Sequence, residues 1–162
     1  MTMYHFVTEW FFEAPIERVW DELEDVEAWP NWWSSYRKVK KITPEAKLHV
    51  GSRAECEVKG KLPYTLKFNT DVTNLQKPYV MDIASTGGIA GSGKFVLEQK
   101  ENGTLVTYYW DVSATNAILN SLGGLSFARK QMEQNHDYVM DLGYHGLKQR
   151  LESKAESAQV AS

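Results

Sequence analysis

The chain of 162 residues has one cysteine, five prolines, four histidines and no large excess of charge of either sign, with 18 basic residues against 21 acidic. Each scarcity excludes something. With Cys56 alone there is no internal disulfide and no CxxC metal or redox site, so this thiol belongs in the core or in a cavity wall. A pI near 5.8 leaves no electrostatic footprint for nucleic acid or for an anionic membrane. The basic cluster of Lys38, Lys40 and Lys41 has the alternation of the wet face of a strand. No apolar run approaches the ~20 residues that span a bilayer, so no integral membrane association is expected. The opening Met1-Thr2-Met3-Tyr4-His5 lacks the regions of a signal peptide, which points to the cytoplasm.

Nor are the residues for common cofactors in place. Gly88 to Lys94 comes within one residue of a phosphate-binding loop, but Phe95 stands where its Ser or Thr must be and a strand-like run follows. Such a loop needs a helix there, so a glycine-rich hairpin is the better reading. There is no GxSxG and no HExxH, and His136 and His145 are nine residues apart, about two and a half helical turns. Asp137 and Asp141 share a helical face, but the wet one. No metal and no cofactor is expected.

What the chain does have is aromatic bulk: six Trp, eight Tyr and six Phe. Residues 4–12 alternate as a half-buried strand with Phe6, Trp10 and Phe12 on one face. Ala14-Pro15 and Glu17 open a short helix carrying Val19, Trp20 and Leu23, and residues 26–33, with Pro30, form a second one. Short β runs follow at 37–42, 52–58, 64–74, 79–85, 94–99 and 105–113, punctuated by Gly87-Gly88 and Asn102-Gly103. Residues 126–151 are helical, about 39 Å at 1.5 Å per residue. On that helix Met132, Val139, Met140, Gly143, Leu147 and Leu151 all fall within about 60° of His136. The order predicts an α+β fold: a seven-stranded, mostly antiparallel sheet curved around a long C-terminal helix, with two short helices after strand 1. One domain, residues 1–152, and a frayed tail, 153–162, are expected.

One helix cannot cover a curved sheet everywhere, and the gap predicts a cavity. Alternation aims Val106, Tyr108 and Trp110 at it from the last strand, Phe95 and Leu97 from its neighbour, and Phe68 from the middle of the sheet. From the helix come Met132, His136, Val139, Met140 and Gly143, and from the corner Trp33 and Tyr36, whose cluster with Trp29 and Trp32 either plugs the sheet or forms a pocket mouth. In the strand at 52–58, Arg53, Glu55 and Glu57 alternate with Ala54, Cys56 and Val58; alternation does not say which set points inward, and Glu57 would be a buried base if the charged set did.

Ala14-Pro15 with Val19-Trp20, Trp29-Pro30 with Trp32-Trp33, Gly103-Thr104, Trp110-Asp111-Val112, the run Asn135-His136-Asp137-Tyr138-Val139-Met140, Gly143 and Gly146-Leu147 resemble the START-like helix-grip superfamily. More narrowly, the chain is similar to the polyketide cyclase/dehydrase and lipid-transport family over nearly its whole length. The resemblance implies the fold above and a small apolar or aromatic ligand, polyketide-, lipid- or quinone-like. A non-catalytic carrier or sensor is the favoured reading. The alternative is a cyclase or dehydrase in which His136, with an ordinary pKa near 6.5, transfers a proton and Tyr108 hydrogen-bonds the oxygen. A third reading is a partner-binding module or homodimer, with Tyr138 and Leu142 as an exposed patch.

Overall fold

The computed structural model describes residues 3–44, 47–114 and 125–161. Seven strands, β1 (Met3–Phe12), β2 (Tyr36–Lys41), β3 (Arg53–Val58), β4 (Leu66–Gln76), β5 (Val80–Gly87), β6 (Ile89–Lys100) and β7 (Gly103–Ala114), form one antiparallel sheet in the order β1-β7-β6-β5-β4-β3-β2. Between β1 and β2 lie α1 (Ile16–Glu24), a 3-10 turn (Val26–Ala28) and α2 (Trp29–Trp32), and α3 (Leu125–Ala161) closes the chain. The predicted α+β order and seven-stranded sheet are therefore present.

Local chemistry fixes the corner. Pro15 is pre-set at the start of α1, and the Ile16 amide donates to Gln99 Oε1 at 2.9 Å, so β6 satisfies one of that helix's free N–H groups. Ile16, Val19, Trp20 and Leu23 bury the inner face of α1. The Trp29 indole donates to the Leu23 carbonyl at 3.1 Å and folds α2 back under α1. On the sheet, Tyr4, Trp10 and Phe12 of β1 and Val106, Tyr108 and Val112 of β7 point inward.

Three expectations are corrected and one open alternative is decided. β6 starts at Ile89, so the run 88–94 is not a hairpin loop: the turn is Gly87-Gly88, with Gly87 at φ +106°, and the later glycines lie within the strand. Of the two registers left open for the strand at 52–58, the structure takes the one with the charged set outside: Ala54, Cys56 and Val58 face inward while Glu57 pairs outside with Lys38 and Lys67. α3 continues through 153–161 instead of fraying after Leu151. Its extension is tied down by the buried Glu22, which accepts from both Arg150 and Lys154. Leu142 packs against the core, which leaves Tyr138 alone of the proposed patch as an exposed side chain.

A bulge in β2 sets the direction of Tyr36. Cross-strand register slips between Tyr36 and Lys38, so Arg37 is an extra residue opposite the Glu57–Val58 step. In a regular strand with Val39 inward, Tyr36 would face out; the bulge turns its ring in. The tryptophans then close on it. Gly143 and Gly146 allow α3 to approach, because a Cβ at Gly143 would meet the Trp33 ring at 2.6 Å and one at Gly146 the Trp32 carbonyl oxygen at 1.6 Å. The Trp33 indole uses that closeness to donate to the Val139 carbonyl at 2.8 Å.

Candidate functional site

Between α3 and the sheet there is a hollow of about 40 Å³. The helix contributes Asn135, His136, Val139 and Met140; β7 contributes Tyr108 and Trp110; β3 and β4 contribute Val58, Leu66 and Phe68. Ile89 of β6 and the corner residues Trp33 and Tyr36 complete it. Among the described residues, no lysine, arginine, aspartate or glutamate lines it.

His136 is the distinctive group. It is 4% exposed, and its ring stacks on Phe6 at 4.1 Å and on Trp110 at 5.5 Å between centroids. Among the described residues neither ring nitrogen has a hydrogen-bond partner. The nearest charge is the Asp137 carboxylate, 84% exposed, with Oδ1 3.6 Å from Nδ1 and so beyond hydrogen-bond reach. Burial pushes the His136 pKa below its ordinary value, and Asp137 opposes that shift only in part. At neutral pH the imidazole is therefore uncharged, one nitrogen a donor and the other an acceptor, both facing dry surroundings.

The other polar groups are held more conventionally. Asn135 Oδ1 accepts from the Lys61 amide at 2.8 Å, which clamps the β3–β4 loop to α3 where Gly60 has no side chain to collide with it. Tyr108 stacks on Phe95 at 4.2 Å, and its hydroxyl occupies space that a Cβ at Gly93 would invade at 2.7 Å. Burial raises the pKa of both Tyr36 and Tyr108, and the nearby Tyr108 raises Tyr36 further, so both phenols stay protonated as donors. Among the described residues no group of three metal-ligating side chains converges.

Of the residues anticipated from sequence, His136, Tyr108, Trp110, Phe68, Val139, Met140, Trp33 and Tyr36 line the hollow. Phe95, Leu97, Val106, Met132 and Gly143 do not. Phe95, Leu97 and Val106 lie in the main core with Trp10, Trp20 and Trp29, in the half of the sheet that α1 and the tryptophans cover. Met132 packs with Tyr4, Leu62 and Ile89 in a second cluster, and Gly143 serves as the seat for Trp33. Asn135, Val58, Leu66 and Ile89 were not anticipated as site residues. Val58 and Leu66 continue the inward faces already marked by Cys56 and Phe68, so alternation carried the signal for those two.

A curved antiparallel sheet gripping one long helix over an apolar hollow defines the helix-grip class. The chain belongs to the polyketide cyclase/dehydrase and lipid transport family, whose pattern matches residues 3–152. Among solved structures it is similar to the Zhui aromatase/cyclase from Streptomyces sp. R1128, with 17% identity and a TM-score of 0.76 over 97% of this chain and 98% of that one. It is similar as well to TTHA0849 from Thermus thermophilus, with 16% identity and a TM-score of 0.75 over 93% and 99%. The di-domain ARO/CYC BexL of the BE-7585A pathway matches at 13% identity and a TM-score of 0.75; this chain, covered to 93%, spans 50% of its length. No curated protein matches this chain. At these identities the likeness to solved structures is one of fold.

Proposed function

We propose that the protein binds a small, uncharged apolar or aromatic molecule between α3 and the sheet, as a carrier or sensor. The observation that carries this reading is the buried imidazole of His136, whose two nitrogens have no hydrogen-bond partner among the described residues. A buried polar group left unpaired costs about 1–3 kcal/mol, and a ligand with one hydrogen-bonding group at that point removes the cost. The ligand is uncharged because, among the described residues, no cation lines the hollow to meet a carboxylate and no anion to meet an amine.

A second reading, a cyclase or dehydrase, draws on the relatives described as aromatase/cyclases and on the two phenols that share the hollow with His136. Binding is preferred because His136 lacks what a general base needs. No buried carboxylate orients it, and its lowered pKa weakens it as a base.

The test is native mass spectrometry of freshly purified protein, wild type beside His136→Phe, each also titrated with neutral aromatic and quinone-like molecules. The wild type is expected to hold a neutral small molecule that His136→Phe loses. Equal occupancy in the two proteins, or a failure of the wild type to retain any neutral molecule, overturns the reading.

A further inference from the structure

A hollow of about 40 Å³ has room for a few water-sized atoms, whereas sites for drug-sized ligands run from roughly 300 to 1,000 Å³. The missing room lies next door. A second void, of about 30 Å³, sits under α2 between the same sheet and the corner, walled mainly by Trp29, Val39, Cys56, Met81 and Ile83, with Lys41 and Arg53 also lining it. One residue lines both voids, and it is Tyr36. Its ring stands between them, held at 4.7 Å from Trp33 and 5.2 Å from Trp29. Farther out, the second void shares Val26, Lys41 and Leu48 with a surface cleft of about 230 Å³.

We propose that the second void is an apolar subsite of one binding chamber, that Tyr36 is the movable partition across it, and that the chamber takes an elongated neutral molecule. The polar end of that molecule meets His136 and its apolar end displaces the Tyr36 ring. This deepens the function proposed above and rests on it.

Three features make Tyr36 suited to the role. It is the first residue of β2, directly before the bulge at Arg37, so its backbone lacks the regular pairing on both sides that would lock an inner strand residue. It is only partly buried, unlike Trp33 at 1% exposure. Its ring neighbours hold it by tilted and edge contacts, which one rotamer change exchanges for contacts with a ligand. The second void is lined mainly by apolar side chains, the kind of surface that accepts an apolar guest. Pockets of this sort are minor conformations that a ligand makes dominant.

The probe is N-phenyl-1-naphthylamine, which is neutral and has two linked aromatic units too large for either void alone. Its fluorescence is titrated against wild type, Tyr36→Phe, Tyr36→Leu and Tyr36→Ala. Removing the ring joins the two voids, so Tyr36→Ala and Tyr36→Leu are expected to tighten binding fivefold or more, while Tyr36→Phe, which keeps the partition, stays within twofold of wild type. A reading that does not depend on Tyr36→Ala or Tyr36→Leu folding uses wild type labelled with 3-fluorotyrosine. The Tyr36 resonance, assigned by its absence from Tyr36→Phe, is expected to shift when the probe binds. If the wild type binds the probe with that resonance unmoved and the smaller side chains give no gain, the partition is refuted while the ligand chamber stands. If no form binds the probe, the chamber fails and the subsite with it.

Discussion

Replacing His136 by phenylalanine should make the ligand-free protein more stable. The imidazole lies flat on Phe6 at 4.1 Å and beside Trp110 at 5.5 Å, contacts that a phenyl ring keeps. Its two nitrogens, by contrast, have no hydrogen-bond partner among the described residues. An unsatisfied buried polar group costs about 1–3 kcal/mol, and the slightly larger ring can expand into the adjoining hollow of about 40 Å³. For a chain of this size each kcal/mol moves the melting temperature by about 2–4 °C, so a rise of roughly 2–12 °C is expected at pH 8. Urea unfolding should show the midpoint rising at unchanged slope, the signature of altered stability and not of an altered unfolded state. The pH dependence has a definite sign. Burial lowers the folded-state pKa of His136 below the ordinary value near 6.5, so below about pH 6.5 the unfolded chain binds a proton that the folded one refuses. Wild-type stability therefore falls as pH drops through that window, by up to ~1.4 kcal/mol per pH unit, and the advantage of His136→Phe widens. A variant no more stable than wild type, with the same pH profile, refutes the argument: it means that ordered water in the hollow already satisfies the ring.

Gly146→Ala should destabilise the protein although alanine is the better helix former by about 1 kcal/mol, because the new Cβ falls 1.6 Å from the Trp32 carbonyl oxygen, a backbone atom that no rotamer can move. A net loss near the upper end of the ~1–3 kcal/mol typical of overpacking is expected in chemical denaturation, and a neutral result would show that α2 and α3 slide freely. Cys56 is buried and its thiol is pushed up to about 11 by burial, against a Thr70 hydrogen bond that lowers it. Its alkylation by iodoacetamide at pH 8 should therefore be at least a hundredfold slower in the folded protein than in urea; equal rates would contradict the packed β3 face.

Sequence periodicity revealed those parts of the molecule where a period persists. The inward faces of β1, of β4 as far as Val72 and of β7 followed simple alternation, and the apolar stripe of α3 put His136 in the interior because 100° steps accumulate without interruption over that helix. What periodicity misses are events that change its phase. The bulge at Arg37 reverses the parity of Tyr36, and a second, between Val72 and Asn74, brings Leu75 to the core side. The glycines of β6 suggest a loop in sequence, yet in the sheet they make room for β7, with Gly93 standing beside the Tyr108 hydroxyl. The end of α3 depends on Glu22, more than a hundred residues earlier. Which part of the inward surface is hollow was likewise illegible. Phe95 and Trp110 both face inward, and only the placement of α1 and the tryptophans makes one of them core and the other cavity wall.

The small volume of the hollow and the unpaired imidazole have one origin. A chamber lined by large rings closes on itself when empty, since each ring gains contact by turning inward, and closure hides the polar group meant for the ligand. If the closed arrangement is favoured by about 2 kcal/mol, only a few per cent of molecules are open, and apparent affinity falls about thirtyfold below that of a preformed site. The two ends of the chamber then respond in opposite senses. His136→Phe strengthens the closed form and loses the ligand's hydrogen bond, so it should be more stable and bind worse. Tyr36→Ala removes a ring that packs at 4.7 Å from Trp33, so it should be less stable and bind better. Melting temperature and probe affinity measured on both variants should therefore be inversely related. A variant pair in which both quantities move together would show that the room for ligand lies elsewhere.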